Sequence, residues 1–328
     1  MDSPPALLQL FKRPSQVQWA SLLGGIAVVV LSAPVLGAEC GLSEAFRQPD
    51  ANASGGYTSV WADAQGSALF FVEKLNANTD GTKRSYSVED FWGRTRAVNN
   101  LCNAMSDACS ELTRDQLRQR RLLTQQARQE GWPADLLQQT KISPSIIAFR
   151  NGRPCPEVDG FLVSATALYD KDVSDVCDLE RYVDSLVTPA TVLPKRQDRQ
   201  VPTGFEKHGA QVGDLVVAMA PGATTPVYAV VGDLGPAREL GEGSLALNGK
   251  LLGKTAPPAN YREVRGQDEY RGRGWVVPRA LVLIFPGTRD AARPFMTPDR
   301  IDPAAAAAFA SWGGIERLKA CASSYGAP

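Results

Sequence analysis

The segment VVGDLGPARELGEGSLALNGKLL, residues 230–252, sets an apolar run rich in valine against two glycine-framed corners. Each corner carries an acid: Asp233 follows Gly232, and Glu242 stands between Gly241 and Gly243. Glycine bends the backbone without a side-chain penalty, so the segment reads as a strand ending at one carboxylate and a turn delivering a second. Paired carboxylates are what glycosidic cleavage requires, one protonated to assist the leaving oxygen and one ionised to activate water or attack carbon. The same spelling also fits two plain turn acids, since Asp-x-Gly-Pro is a common turn signal.

Working outward, Ser145–Arg150, Phe161–Leu168, Ala190–Leu193, Leu215–Met219, Val227–Val231 and Val276–Phe285 are short apolar runs dense in Val, Ile and Phe and parted by turn residues. Ser67–Leu75 reads as a further buried strand that runs into the turn-forming stretch Asn76–Gly81. At least six strands without regular helices between them argue against a doubly wound parallel sheet. They favour a mainly β fold of the α+β kind, built on a small six-stranded barrel. Helices are expected in two places. Ser110–Gln139 is rich in Leu, Gln, Arg and Glu, and Thr113 followed by Gln116 makes a helix start, so residues 105–140 read as a helical insertion. Leu117, Leu122, Leu123, Leu136 and Leu137 form its expected buried stripe. The alanine-rich tail, residues 302–323, reads as C-terminal helices laid on the barrel.

These motifs resemble glycoside hydrolase family 75, the chitosanases. Gly232-Asp233 and Gly241-Glu242 are similar to the family's G-D and G-E elements. Asp159-Gly160-Phe161 with Val163-Ser164-Ala165-Thr166, Tyr182-Val183-Asp184-Ser185 with Val192-Leu193-Pro194, and Asp80-Gly81 through Tyr86 follow in the family's order, covering residues 65 to 290 or so. The resemblance implies that Asp233 and Glu242 are the catalytic pair of an inverting hydrolase and that Asp80 contacts substrate. The Asp-Leu-Gly-Pro element also resembles the site strand of double-psi barrels, the architecture of glycoside hydrolase family 45 and of some lytic transglycosylases; this is an analogy of fold. Around the pair, Ser244 either orients Glu242 or starts a helix, and Asp159 either binds an amino sugar or makes a structural turn. Tyr86, Trp92 and Trp275 either stack on sugar rings or fill the core, with Trp92 the best placed as a neighbour of the Asp80 turn.

Lys plus Arg equals Asp plus Glu at 35 each, so no global field favours nucleic acid or an anionic membrane. Arg118, Arg120 and Arg121 are interleaved with Gln and Glu and read as a solvated helix face. With His208 the single histidine, no Cys-x-x-Cys and no Gly-x-Ser-x-Gly, neither a zinc site nor a serine hydrolase is expected, and no metal or cofactor is called for. Lys12 and Arg13 precede an uncharged stretch, Pro14–Ala38, ending in small residues after Pro34. Residues 1–38 thus read as a signal peptide for a secreted or periplasmic protein without a permanent anchor. A mobile lead-in over 39–56 and a single domain over 57–328 are expected to follow. The six cysteines, Cys40, Cys102, Cys109, Cys155, Cys177 and Cys321, all lie beyond that segment and predict three disulfides. The expected partner is a polysaccharide, a chitosan-like or peptidoglycan-like amino-sugar polymer, met by a monomer. A non-catalytic cell-wall or protein-binding barrel module is the rival reading.

Overall fold

Alternate residues of the strands at Leu215–Met219 and Val277–Phe285 enter two different cores, and the architecture follows from that division. The computed structural model describes residues 39–107 and 109–325, so the expected signal peptide lies outside the described residues. In chain order the elements are β1 (Leu42–Pro49), β2 (Tyr57–Asp63), β3 (Leu69–Asn78), α1 (Arg114–Gln129), α2 (Ala134–Thr140), β4 (Phe149–Arg150), β5 (Arg153–Pro154), β6 (Ala190–Pro194), α3 (Gly204–Lys207), β7 (Leu215–Met219), β8 (Val227–Gly235), β9 (Glu242–Ser244), α4 (Leu245–Leu251), α5 (Tyr261–Arg265), β10 (Val277–Phe285), α6 (Pro298–Trp312) and α7 (Gly314–Tyr325).

Six strands close into a barrel in the order β3-β10-β7-β8-β6-β9 and back to β3. The pairs β3–β9 and β6–β8 are parallel; the other four are antiparallel. Exchanging β3, β6 and β7 for β8, β9 and β10 maps this set of pairings onto itself. The barrel is therefore two interlocked three-strand halves. β1 and β2 extend β3 outward as a meander.

Period-two alternation assigns each strand two faces. Leu69, Phe71, Val216, Ala218, Val282 and Ile284 point into the barrel. Phe70, Val217 and Leu283 point outward into a second core, completed by Ile301, Phe309, Trp312 and Leu318 of α6 and α7. Strands covered on both sides must be apolar throughout, which explains the unbroken runs in the sequence and seats the C-terminal helices where they were expected. The disulfide Cys40–Cys321 ties α7 to the chain just before β1, and Tyr325 stacks on Trp61 at 4.8 Å.

The insertion has its own core, in which Phe91, Leu101, Met105, Trp132 and Ile147 gather with the ring of Tyr86. Thr113 and Gln116 form the expected capping box of α1, and the bridge Cys102–Cys109 lies just before it. The remaining cysteines pair as Cys155–Cys177.

Four expectations need correction. Residues 42–49, placed in a mobile lead-in, form β1, held by pairing along β2 and by the disulfide at Cys40. Ser145–Arg150 and Phe161–Leu168 are irregular segments joined by single bridges, Ile147 to Ser164 and Tyr86 to Leu162, apart from the two-residue β4. They are held to each other by a few backbone bonds, Ala148 N–H to the Val163 carbonyl and Ala165 N–H to that of Ile146, both at 2.8 Å, too few for a regular ladder. Leu122 is 54% exposed, because α1 centres its inner stripe on Thr124 and Ala127. Arg120 is likewise drawn inward, where its guanidinium meets both oxygens of Asp107 at 2.8 and 3.1 Å.

Candidate active site

The site grows from the parallel pair β6–β8 and its neighbour β9. Val192 of β6 pairs with Asp233 on one side and with Glu242 on the other, so the two acids flank a single residue of the middle strand. Asp233 is fixed by its own backbone surroundings: Oδ1 accepts the Ala167 N–H and the Leu234 N–H, both at 2.8 Å. Ala167 follows the stretch Val163–Thr166, which brings its N–H to this carboxylate.

Glu242 begins β9 after a turn that needs glycine. Gly241 has φ +88°, and any β-carbon there would collide with the Lys74 carbonyl oxygen of β3. The Glu242 side chain then lies over Gly235, two residues beyond Asp233 on β8; a β-carbon on Gly235 would stand 3.2 Å from Oε2. Ser244 does not orient Glu242. Its hydroxyl donates to the Thr188 carbonyl and accepts the N–H groups of Ala190 and Leu247, capping α4 and joining it to β6. All the hydrogen bonds of the Ser244 hydroxyl go to backbone groups, so it has no share in holding the Glu242 carboxyl.

Asp80 is the third acid. It lies just past the end of β3, as Asp233 lies at the end of the exchange-related strand β8. Asp80 Oδ1 accepts the Tyr86 phenol at 2.7 Å and the Ser164 hydroxyl at 3.4 Å, while its backbone N–H donates to Asn78 Oδ1. Behind Tyr86 stands a file of amides: Asn99 Nδ2 donates to the Tyr86 oxygen at 3.0 Å, and Asn103 Nδ2 to Asn99 Oδ1 at 2.7 Å. Tyr86 is thus neither a sugar platform nor only core. Its ring belongs to the insertion and its hydroxyl to the site.

Asp80, Asp233 and Glu242 line one cleft of about 680 Å³, together with Asn78, Glu239 and Lys195. Burial raises the pKa of each from the ordinary carboxylate range to about 7. The charge of Asp233 adds to the effect at Asp80, that of Glu242 at Asp233, and those of Asp80 and Glu239 at Glu242. Like charges this close do not all ionise together, so near neutral pH the group retains protons as a set. One protonated acid beside one carboxylate is the state in which a proton can be given and another taken. Among the described residues no group of three or more His, Cys, Asp and Glu side chains is arranged to hold a metal ion.

Three expected contacts lie elsewhere. Trp92 packs on Phe91 at 4.8 Å and lines a second hollow with Arg94 and Arg262, which adjoins the cleft through Tyr261 and Arg265. Asp159 is exposed with φ 53°, at the tip of the Val158–Phe161 turn, which makes it a turn residue. Trp275 is core, 3% exposed. Asn78, Asn99, Asn103 and Tyr261 line the cleft without having been singled out. Asn78 sits in the Asn-rich stretch after β3, whose turn-forming character hid a second use; the others carry no local pattern.

No family model matches the chain, and no curated protein matches it. Among the described residues no helix is long and apolar enough to cross a membrane.

Proposed function

We propose that this protein is an inverting glycoside hydrolase acting on β-linked amino-sugar polymers of the chitosan type, as a monomer in a secreted or periplasmic setting. The reading rests on one observation above the rest: Asp233 and Glu242 flank Val192 and open into one cleft. Glu242 reaches over Gly235, one two-residue step of β8 from Asp233, so the two carboxyl groups stand at successive positions on one face of that strand. Inverting enzymes hold their carboxyl groups about 6.5–9.5 Å apart to admit a water, whereas retaining enzymes hold them at about 5–5.5 Å.

The roles follow from the surroundings. Two N–H donors on Asp233 favour its ionised form, making it the base that takes a proton from water as the water oxygen bonds to the anomeric carbon. Glu242, whose proton is held by burial and by repulsion from Asp80 and Glu239, gives it to the departing glycosidic oxygen. Three disulfides accord with an oxidising compartment.

The test follows new reducing ends when the mature chain meets chitosan oligomers and purified peptidoglycan, beside Asp233→Asn and Glu242→Gln. Chitosan cleavage lost by at least a hundredfold in both variants, with the product first appearing in the inverted anomer, supports the reading. Cleavage of neither polymer leaves the barrel a binding module, and cleavage of peptidoglycan alone moves the substrate.

A further inference from the structure

We propose that Asp80 is the specificity residue of this cleft, accepting the primary ammonium of a non-acylated amino sugar. The inference rests on the hydrolase reading for its substrate, but it is carried by different residues. Four acids line the cleft, Asp80, Asp233, Glu239 and Glu242, against two cations, Lys195 and Arg265. Hydrolysis engages two of the four. Asp80 is left over, yet it is the acid with the most elaborate support.

That support is entirely neutral. Tyr86, 2% exposed, and Ser164, fully buried, both bond to Oδ1, and Asn99 and Asn103 hold Tyr86 in turn. No hydrogen bond to Oδ2 and no ion pair with Lys or Arg forms among the described residues. A carboxylate drawn out of water without a protein cation is costly, and its positioning by four neutral side chains fixes one oxygen while leaving the other for the cleft. The missing partner is a cation small enough to enter with a sugar, and an alkylammonium at C2 supplies three donors on one atom. An N-acetyl group offers one N–H and no charge. Asp80 lines the same cleft as Asp233 and Glu242, so an ammonium held here lies on a sugar close to the scissile bond.

Binding separates this proposal from the catalytic one. Calorimetry with glucosamine pentamer and N-acetylglucosamine pentamer gives the ratio of their affinities for the full mature chain in a Glu242→Gln background, which prevents turnover. The expected ratio favours the free amine by tenfold or more and falls to about one on adding Asp80→Asn, which preserves the acceptor for Tyr86. Asp80→Glu, retaining charge but displacing it, lowers the ratio at least threefold and serves if the amide does not fold. A ratio near one before substitution, a ratio unchanged by either variant, or no binding of the amine pentamer overturns the proposal. None of these outcomes requires the protein to be a hydrolase; the reducing-end assay answers that separately.

Discussion

The Glu242 carboxyl rests on the bare backbone of Gly235, with Oε2 only 3.2 Å from where a β-carbon would sit. Val192 Cγ1 crowds the same point at 2.9 Å, so the strand has no slack to yield. Gly235→Ala therefore drives Glu242 off its position. Loss of polymer cleavage by tenfold or more is expected, with a stability cost of about 1–2 kcal/mol by overpacking; steady-state kinetics and denaturant midpoints measure the two separately.

Activity should fall as pH rises through about 7. The acids of the cleft have pKa values raised to that region, and once the last proton leaves, none remains for the glycosidic oxygen. At low pH the base is protonated and activity falls again. A pH–rate profile with its alkaline limb near 7, moved by Asp80→Asn, is the expected outcome.

Stability carries the same signature. An acid whose folded pKa lies above its unfolded value binds a proton more tightly when folded, so its contribution is fully present below about pH 4 and is lost between there and about pH 7. Asp233→Asn abolishes that loss at one position while keeping an acceptor for Ala167 and Leu234. At pH 8 it should be more stable than the parent by about 1 kcal/mol, the open cleft trimming the gain. Urea unfolding at pH 4 and pH 8 checks it: the two proteins differ at the higher pH and converge at the lower.

Asn248 holds the floor of the site. Its Nδ2 lies 3.1 Å from the Leu75 carbonyl oxygen, 3.2 Å from that of Asn76 and 2.9 Å from that of Trp275, joining α4 to the end of β3. Asn248→Leu leaves those carbonyls without a partner, at a cost of about 2–3 kcal/mol. The lower urea midpoint should come with weakened substrate binding, since Asp80 stands immediately beyond that strand end.

Removing the bridge Cys40–Cys321 by a double substitution to alanine should cost about 2–5 kcal/mol and loosen β1 and α7 first. Amide exchange would accelerate in those elements before the barrel.

Much of this was legible in the sequence because two-sided burial writes long apolar runs, as at Leu215–Met219 and Val276–Phe285. The capping pair Thr113 and Gln116 spelled its helix outright, and Gly241 marked the turn before Glu242, whereas Asp233 lies within β8 and at no corner. The closure of the barrel was not legible in detail: β9 is three residues long, and its pairing with β3 is set by contacts 166 positions apart, Asn76 to Glu242. β1 was missed because its apolar residues are few; a neighbouring strand and a distant cysteine supply the order that its composition lacks. Ser244 and Asp159 look like site residues locally, but the first spends its hydroxyl on the backbone of Thr188, Ala190 and Leu247 and a turn carries the second outward.

The linkage between Cys40 and Cys321 makes the polypeptide between them a covalent ring. A protease that nicks the exposed stretch 195–202 would open that ring without releasing a fragment, and the two pieces would stay one molecule until a reductant arrived. The bond makes a single cut there survivable.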